Sequence, residues 1–288
     1  MSIRLIPKLD IKGPNLVKGI HLEGLRVLGK PEDFAKYYYE TGADELIYMD
    51  VVASLYNRNS LHDIIEKTSH GIFIPLTVGG GLRTIEDIRD VLRVGADKVS
   101  LNTAAIKNPE IIREASRKFG SSTILISIEA VRQADGKYLA YTDNGREYTG
   151  VEVMSWARRV EELGAGEIMI TSIDMEGTGL GYDVELTKMI SEAVSIPVIA
   201  NGGAGNSRHI ENVISDGKAD AVAIASVLHY EFIRKIRVEI DEGSEGNIEF
   251  LKSGKIFSKI EPENIPQIKA YLQDFGITCR QENAEIGR

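Results

Sequence analysis

Two carboxylate residues and two glycine-rich loops are the parts of this chain that could do chemistry. Asp10 and Glu129 each stand at the end of an apolar run that is typical of a buried β-strand. Two carboxyl groups placed across a pocket from one another can divide the work of a general acid and a general base. In the alternative interpretation, one of the two is catalytic and the other only positions a loop.

The glycine-rich loops occur twice, in related sequence. Residues 74–81 read IPLTVGGG, and residues 196–205 read IPVIANGGAG. Each copy is typical of a buried parallel strand that opens into a tight loop before a helix. Glycines there let backbone N–H groups approach an anion, and the helix that follows adds the positive end of its dipole. The two loops therefore predict two phosphate sites, unless both are ordinary strand-to-helix turns.

The similarity between the two halves of the chain extends beyond these loops. Residues 41–46 are echoed by 163–168, and residues 95–99 by 218–222, with an offset of about 122 residues. Each half then holds four strand-plus-helix units, with amphipathic stretches between the strands. Eight such units with a two-fold internal repeat predict an α/β fold, a (β/α)8 TIM barrel, as a single domain over residues 1–288. A doubly wound open sheet is the alternative, and it explains the repeat less well.

The predicted barrel strands are residues 4–10, 45–50, 72–78, 98–102, 123–129, 167–172, 196–201 and 219–225. Two stretches interrupt the regular alternation of strands and helices. Residues 131–150 contain the pair Asn144 and Gly145, which indicates a hairpin turn. Residues 241–259 are a second predicted hairpin excursion, before a last helix expected near residues 262–276.

Composition narrows the class of function. A net charge of −9 disfavours a nucleic-acid surface, and no apolar run reaches membrane-spanning length. The single cysteine, Cys279, allows no internal disulfide, and neither it nor the five histidines show metal-ligand spacing. We therefore expect a cytoplasmic enzyme with no metal, no cofactor, and neither nucleic acid nor membrane as a partner.

In a barrel of this kind, function lies at the carboxyl ends of the strands. Polar groups and glycines that follow apolar strands are the expected substrate ligands: Asp50, Gly81, Asn102, Thr103, Asp174, Gly202, Gly203, Ala225 and Ser226. Backbone N–H groups and hydroxyls of the pair Asn102 and Thr103 would complete the first phosphate site. Ala225 and Ser226 would do the same for the second.

Eight motifs resemble the cyclase subunit of imidazole glycerol phosphate synthase, a (β/α)8 barrel of histidine biosynthesis. They are IPKLDIK (6–12), LVKG (16–19), DELIYMD (44–50), VGGG (78–81), ADKVSLNT (96–103), GAGEI (164–168), TSID (171–174) and NGGAG (201–205). The resemblance implies a heterodimer in which a glutaminase docked at the bottom face supplies ammonia. The barrel then cleaves and cyclises a substrate with a phosphate at each end. The products are imidazole glycerol phosphate and an aminoimidazole carboxamide ribotide.

The resemblance also implies roles for single residues. Asp10 becomes the catalytic acid/base of the first strand, and Lys18 belongs to a mobile loop that closes over the substrate. Phosphate contacts are implied for Gly81, Asn102 and Thr103 at one end, and for Gly177, Gly203, Ala225 and Ser226 at the other.

At the bottom of the barrel, the family has a ring of alternating charges that gates ammonia. The matching residues in this chain are Arg4, Glu45, Lys98 and Glu167. A solvated rim of unrelated charges is the alternative interpretation. Asp97 resembles a family contact with the glutaminase.

Three residues depart from the family pattern. Glu129 and Glu176 stand where the family has Asp, and each extra methylene moves a carboxyl group by about 1.5 Å. Lys8 replaces a small uncharged residue, and strand alternation points it into the barrel beneath Asp10. A buried ammonium must be paired or lose its proton, so we expect Asp10 or Glu129 as its partner, with that carboxyl group becoming a weaker acid. The alternative is a bulge that turns Lys8 outward.

Three functions fit these observations. Asp10, Lys18 and the two phosphate loops favour the histidine-pathway cyclase. The departures and the excursion favour a paralogue that passes glutamine-derived ammonia to a sugar-amidating synthetase of surface-polysaccharide biosynthesis. A non-catalytic partner scaffold is the third, and it is disfavoured because a scaffold would not need intact phosphate loops.

Overall fold

The computed structural model describes residues 2–53, 61–236 and 259–280 of the chain. The strands within these ranges are β1 (Arg4–Lys12), β2 (Asn15–Ile20), β3 (Glu23–Gly29), β4 (Leu46–Asp50), β5 (Leu76–Gly79), β6 (Lys98–Leu101), β7 (Ile124–Arg132), β8 (Tyr138–Thr142), β9 (Glu147–Glu152), β10 (Glu167–Ser172), β11 (Val198–Asn201) and β12 (Ala221–Ile224). The α-helices are α1 (Pro31–Glu40), α2 (His62–Ser69), α3 (Ile85–Val94), α4 (Thr103–Lys107), α5 (Glu110–Phe119), α6 (Val153–Glu162), α7 (Val184–Ser191), α8 (Ser207–Ser215), α9 (Ser226–Ile236) and α10 (Ile265–Asp274).

Eight parallel strands close into a barrel. Their order is β1, β4, β5, β6, β7, β10, β11, β12, and β12 pairs with β1 to complete the ring. Each barrel strand is followed by at least one helix before the next barrel strand or the end of the described chain. The (β/α)8 barrel predicted from the sequence is confirmed, and the open-sheet alternative is wrong.

The strands and helices form where burial and capping favour them. Helices cover the outside of the barrel and side chains fill its inside, so β1 is buried from Leu5 to Ile11. On the outside, α3 begins at a capping box, in which the Thr84 hydroxyl accepts the Asp87 N–H and the Asp87 carboxylate accepts the Thr84 N–H. The helix ends at Gly95, whose φ of 124° suits glycine far better than any other residue.

Two predicted strands begin later than expected. Residues 72–75 and 196–197 are not in a strand, and pairing starts only at Leu76 and Val198. Pro75 and Pro197 stand just before these points, and proline has no N–H to donate to a strand ladder. The two repeats share this feature, as their related sequences require.

Two antiparallel hairpins extend from the mouth of the barrel. The hairpin β8–β9 follows β7, and its turn (residues 143–146, the β8–β9 turn) contains Asn144 and Gly145, as predicted. The hairpin β2–β3 follows β1 and carries Lys18; the sequence analysis expected only a mobile loop there.

The last helix packs beside α8 on the outside of the barrel. It begins at Ile265, later than predicted, because Asn264 and Gln267 form a capping box at that point. Beyond it, Cys279 pairs with Ile3 in an isolated bridge. The predicted excursion falls almost entirely on residues 237–258, which lie outside the described residues. Among the helices that the structure describes, none is long and apolar enough to cross a membrane.

Candidate active site

A ring of four alternating charges lies where the barrel strands begin. Arg4 contacts both carboxylates, with Nη1 at 2.7 Å from Glu45 Oε1 and Nη2 at 2.5 Å from Glu167 Oε1. Lys98 Nζ lies 3.0 Å from Glu45 Oε2 and 3.1 Å from Glu167 Oε2. Each cation therefore bridges both anions, which gives a closed charged ring (Arg4, Glu45, Lys98 and Glu167). Unrelated charges on a solvated rim would not close in this way.

Above the charged ring, the inside of the barrel is mainly apolar, with two hydroxyl groups among the apolar side chains. The apolar layer consists of Ile6, Ile47, Leu125, Met169, Ile199, Ala221 and Ala223. Thr77 and Ser100 lie among these side chains, in register with Ile47 and Leu125, and their hydroxyl groups are buried without a hydrogen-bond partner among the described residues. A small polar molecule that passed the ring would meet these hydroxyls on its way to the mouth.

Lys8 points into the barrel and makes an ion pair with Asp10. Only 4% of Lys8 and 3% of Asp10 is exposed, and Lys8 Nζ contacts Asp10 Oδ1 directly. The pairing predicted from strand alternation is confirmed with Asp10 as the partner, and the alternative of an outward-facing Lys8 is wrong.

The ion pair extends into a longer chain of buried charges. Lys18 Nζ lies 3.9 Å from Asp10 Oδ2 and contacts Glu176 Oε1 directly. Burial opposes the charge on Lys18, but attraction to Glu176 and Asp10 outweighs it and raises the pKa of Lys18. Lys8, Asp10, Lys18 and Glu176 thus form a central ion-pair chain in which positive and negative groups alternate.

Glu129 lies across the mouth from Asp10 in a different environment. Its carboxyl group lies under the β8–β9 turn, where Gly145 donates its backbone N–H to Glu129 Oε2 over 2.8 Å. Withdrawal from water raises the pKa of Glu129 to about 7, although the Gly145 hydrogen bond and the charge on Lys8 oppose the shift. Near neutral pH this carboxyl group can therefore both hold and release a proton.

The first glycine loop opens into a cavity of about 140 Å³. Its lining includes Asp50, Gly80, Gly81, Asn102, Thr103, Lys107, Glu129, Asp143 and Asn144. At Gly80, φ is 98° and a Cβ atom would lie 2.3 Å from the Asp50 carbonyl oxygen, so only glycine fits. Asn102 Oδ1 is buried at this site without a hydrogen-bond partner among the described residues. These features suit a ligand that brings hydrogen-bonding groups of its own.

The hairpin β2–β3 packs on the loop that follows β10, beside the second glycine loop. A Cβ atom on Gly177 would lie 2.4 Å from the Gly19 carbonyl oxygen, and the His21 N–H donates to the Glu176 carbonyl oxygen over 2.8 Å. The hairpin thus packs directly on residues 176–177. Gly202, Gly203 and Ser226 lie buried at this end, and Ala225 is half-buried beside them.

Three predicted residues have other contacts. Asp174 is exposed, and its Oδ2 accepts the backbone N–H of Arg132 over 2.9 Å. Asp50 Oδ1 accepts the N–H of Val52 over 3.0 Å at the edge of the cavity. Asp97, also exposed, binds the N–H of Leu76 through Oδ2 at 2.9 Å. Each carboxylate holds a strand or a loop in place, whatever else it binds.

Comparison with known proteins identifies the family. The family model described as "Histidine biosynthesis protein" matches residues 4–234. The imidazole glycerol phosphate synthase subunit HisF of Legionella pneumophila is 59% identical over 204 residues, 71% of this chain and 96% of that protein. The HisF subunit of Alkaliphilus metalliredigens (strain QYMF) is 49% identical over 227 residues, 79% of this chain and 90% of that protein. That of Methanococcus vannielii is 45% identical over 266 residues, 85% of this chain and 98% of that protein.

The chain belongs to the HisF family. As in the sequence analysis, the HisF-type barrel places its two groups of predicted residues at opposite ends. The charged ring is at the bottom, and Asp10, Glu129 and the two glycine loops are at the mouth. The two ends are joined by the apolar layer and by Lys8.

Several contacts at the mouth of this HisF-family barrel were not predicted from the sequence. They are those of Asp143 and Lys107, which line the first cavity, and of the Gly145 N–H, which binds Glu129. The Asn144-Gly145 pair predicted a hairpin turn, but nothing in the local sequence predicted that this turn folds back over the barrel. Within the described ranges, no group of three or more His, Cys, Asp or Glu side chains is arranged to hold a metal ion.

Proposed function

We propose that this chain is the cyclase subunit of imidazole glycerol phosphate synthase. It uses ammonia to cleave and cyclise a substrate with a phosphate at each end, and it forms imidazole glycerol phosphate and an aminoimidazole carboxamide ribotide. The observation that carries the proposal is the placement of Asp10 and Glu129 between two glycine loops, in a chain up to 59% identical to HisF subunits. The acidic composition and the biosynthetic role support a cytoplasmic location.

The two carboxyl groups have different roles in the reaction. Cleavage requires a proton for the leaving group, and ring closure requires removal of protons from the nitrogen that ammonia supplies. Glu129, with a pKa of about 7, exchanges a proton near neutral pH. Asp10, bound to Lys8, faces the same space as a fixed negative charge that stabilises a cationic nitrogen.

The phosphates are held by the glycine loops. Backbone N–H groups of Gly81 and Thr103, with the Asn102 side chain, bind one phosphate. Gly177, Gly202, Gly203, Ala225 and Ser226 bind the other, and the hairpin β2–β3 closes over that end with Lys18 beneath it. Asp50 and Asp174 fix the loops that surround the substrate.

We further propose that a glutaminase docks at the bottom face and that the charged ring gates its ammonia. Support comes from an exposed aromatic side chain on the same face: Phe73 is 82% exposed, and its ring packs edge-on against the half-buried Tyr39 with centroids 6.1 Å apart. Exposed aromatic side chains are frequent anchors of protein–protein interfaces. Asp97 lies beside Lys98 on this face and is the proposed polar contact.

The test is turnover without the glutaminase. Purified protein is given the bisphosphate substrate and an ammonium salt at high pH, where free ammonia is abundant, and product is followed by chromatography. We expect imidazole glycerol phosphate from the wild type, and a rate at least about a hundredfold lower from Asp10→Asn, which keeps the shape but not the charge. The exposed Lys12→Met, on the same strand, is the control and should retain the rate.

A second candidate function is favoured by Lys8 and Glu129. A paralogue that passes ammonia to a sugar-amidating synthetase would keep the barrel, the charged ring and the glutaminase but not the cyclase chemistry. Absence of turnover by a wild-type protein that still binds its glutaminase would support this candidate over the first. A protein that binds its glutaminase but neither turns over the bisphosphate nor passes ammonia to a synthetase would support the non-catalytic scaffold.

A further inference from the structure

The β8–β9 turn brings a carboxylate into the first phosphate end of the barrel. The Thr103 hydroxyl donates to Asp143 Oδ1 over 3.5 Å and accepts the Asp143 backbone N–H over 3.2 Å. Lys107 Nζ lies 3.7 Å from Asp143 Oδ2. A hydroxyl, a backbone amide and an ammonium group are typical ligands of a phosphate. In this structure, the Thr103 hydroxyl and the Lys107 ammonium group face the carboxylate of Asp143 instead.

The backbone holds this carboxylate in place. Asp143 and Asn144 have φ values of 52° and 59°, in the left-handed region that few residues other than Gly, Asn and Asp adopt readily. The turn is closed by the Arg146 N–H, which donates to the Thr142 carbonyl oxygen over 3.0 Å. Asp143 is only 8% exposed, so its carboxylate faces the cavity and not the surrounding solvent.

We propose that Asp143 is a specificity-determining residue of the first phosphate site. Its carboxylate takes the place of a phosphate oxygen against Thr103 and Lys107, and an incoming phosphate must displace it. The inference rests on the proposed function, in which Gly81, Asn102 and Thr103 bind a phosphate of the substrate. Those three residues favour phosphate binding, whereas Asp143 opposes it.

The consequence is selection between ligands. Two negative groups cannot share one small site without a large electrostatic cost, so a phosphate gains less here than at a site without the carboxylate. A free phosphate has no other contacts to offset this cost. A bisphosphate has such contacts, because one phosphate bound at the second glycine loop raises the effective concentration of the other phosphate at the first site. Asp143 therefore weakens both kinds of ligand at this site, and only the two-phosphate substrate has a second set of contacts that keeps it bound.

The same turn contacts the catalytic carboxyl group and the other hairpin. Gly145 donates its N–H to Glu129, and the Asn144 side chain donates to the Leu22 carbonyl oxygen over 3.1 Å. Displacement of Asp143 moves both neighbours. Arrival of the phosphate is thereby linked to the hydrogen bonding of Glu129 and to the hairpin that covers the second phosphate end.

The test is a calorimetric titration of inorganic phosphate into the full chain and into Asp143→Asn. Asparagine keeps the size, tolerates a positive φ and removes the charge. We expect the dissociation constant for inorganic phosphate to fall about tenfold in the variant. The KM for the bisphosphate substrate should fall as well, because its phosphate meets the same carboxylate. The control, Asp135→Asn, removes an exposed charge from the turn between β7 and β8 and should bind phosphate as the wild type does.

An equal or weaker affinity of Asp143→Asn for phosphate would overturn the inference, because Asp143 would then be ordering the site and not competing for it. If Asp143→Asn does not fold, Asp143→Gly also fits the positive φ and removes the carboxylate, and the same gain is expected. The titration does not depend on turnover. A gain in phosphate affinity without cyclase activity would contradict the proposed function alone, and cyclase activity without the gain would contradict this inference alone.

Discussion

At the residue scale, the two catalytic carboxyl groups differ because of their neighbours. Asp10 contacts Lys8 directly and lies 3.9 Å from Lys18, whereas Glu129 has a backbone N–H as its hydrogen-bond donor. Burial raises the pKa of Glu129 to about 7, although hydrogen bonds from Gly145 and Asn102 and the charge on Lys8 oppose the shift. Lys8 and the longer Glu129 side chain are therefore consistent with a division of labour in which Glu129 exchanges the proton.

Lys8→Met tests this account of the proton transfers. The positive charge of Lys8 favours the ionised form of Glu129, so its removal raises the pKa of Glu129 above about 7. We expect the limb of the pH profile of kcat/KM that reports Glu129 to move to higher pH by about one unit. This direction holds whether Glu129 acts as the acid or as the base, because either limb follows its pKa.

The control for this experiment is Lys12→Met, which removes an exposed lysine from the end of the same strand. Its pH profile should match that of the wild type. A profile of Lys8→Met with unmoved limbs would mean that Lys8 only fills space beneath Asp10.

At the element scale, the last helix holds the bottom of the barrel through one buried cation. Lys269 on α10 donates to the carbonyl oxygens of Gly42 and Arg280, over 2.7 Å and 2.8 Å, and to Asp44 Oδ1 over 3.1 Å. Asp44 Oδ2 in turn accepts the N–H of Leu5 on the first barrel strand over 2.8 Å. The helix, the loop before β4 and the first strand are thus joined through the buried Lys269–Asp44 pair, to which Arg280 Nε adds a second contact with Asp44 Oδ1 over 3.2 Å.

Lys269→Met should therefore destabilise the whole fold. The methionine fills similar space, but it leaves Asp44 buried with fewer partners and two carbonyl oxygens without their donor. Loss of one member of a buried pair typically costs about 3 kcal/mol in the free energy of unfolding, to be measured by urea denaturation. Lys188→Met, at an exposed position of α7, should change it by less than about 0.5 kcal/mol. Equal unfolding midpoints for the two variants would show that packing alone holds α10.

At the scale of the whole molecule, the repeat of the sequence was sufficient to predict the barrel. Apolar runs ending in glycine loops, such as those before Gly81 and Gly203, give the strands their order and direction. Strand alternation also predicted correctly that Arg4, Lys8 and Asp10 point inward, because a side-chain period of two is a local property of a strand. Closure of the charged ring then follows from the closure of the barrel.

The hairpins limited what could be predicted about the site. The contacts of Asp143 with Thr103 and of Gly145 with Glu129 join residues 40 and 16 positions apart. They depend on how far a hairpin bends over the mouth, which is set by packing and not by local propensity. The hairpin β2–β3 was missed for the same reason, since its pairing with β1 and its packing on residues 176–177 decide its form.

The most direct test of the central claim follows the nitrogen atom through the complete complex. The chain and its glutaminase are given the bisphosphate substrate and glutamine labelled with the heavy nitrogen isotope in its side-chain amide, in a buffer containing unlabelled ammonium. Mass spectrometry of the product then reports where the nitrogen came from. We expect imidazole glycerol phosphate that carries the heavy isotope, because ammonia passes the charged ring without mixing with the solvent. Labelled ammonia in the buffer with no labelled imidazole product would contradict the account.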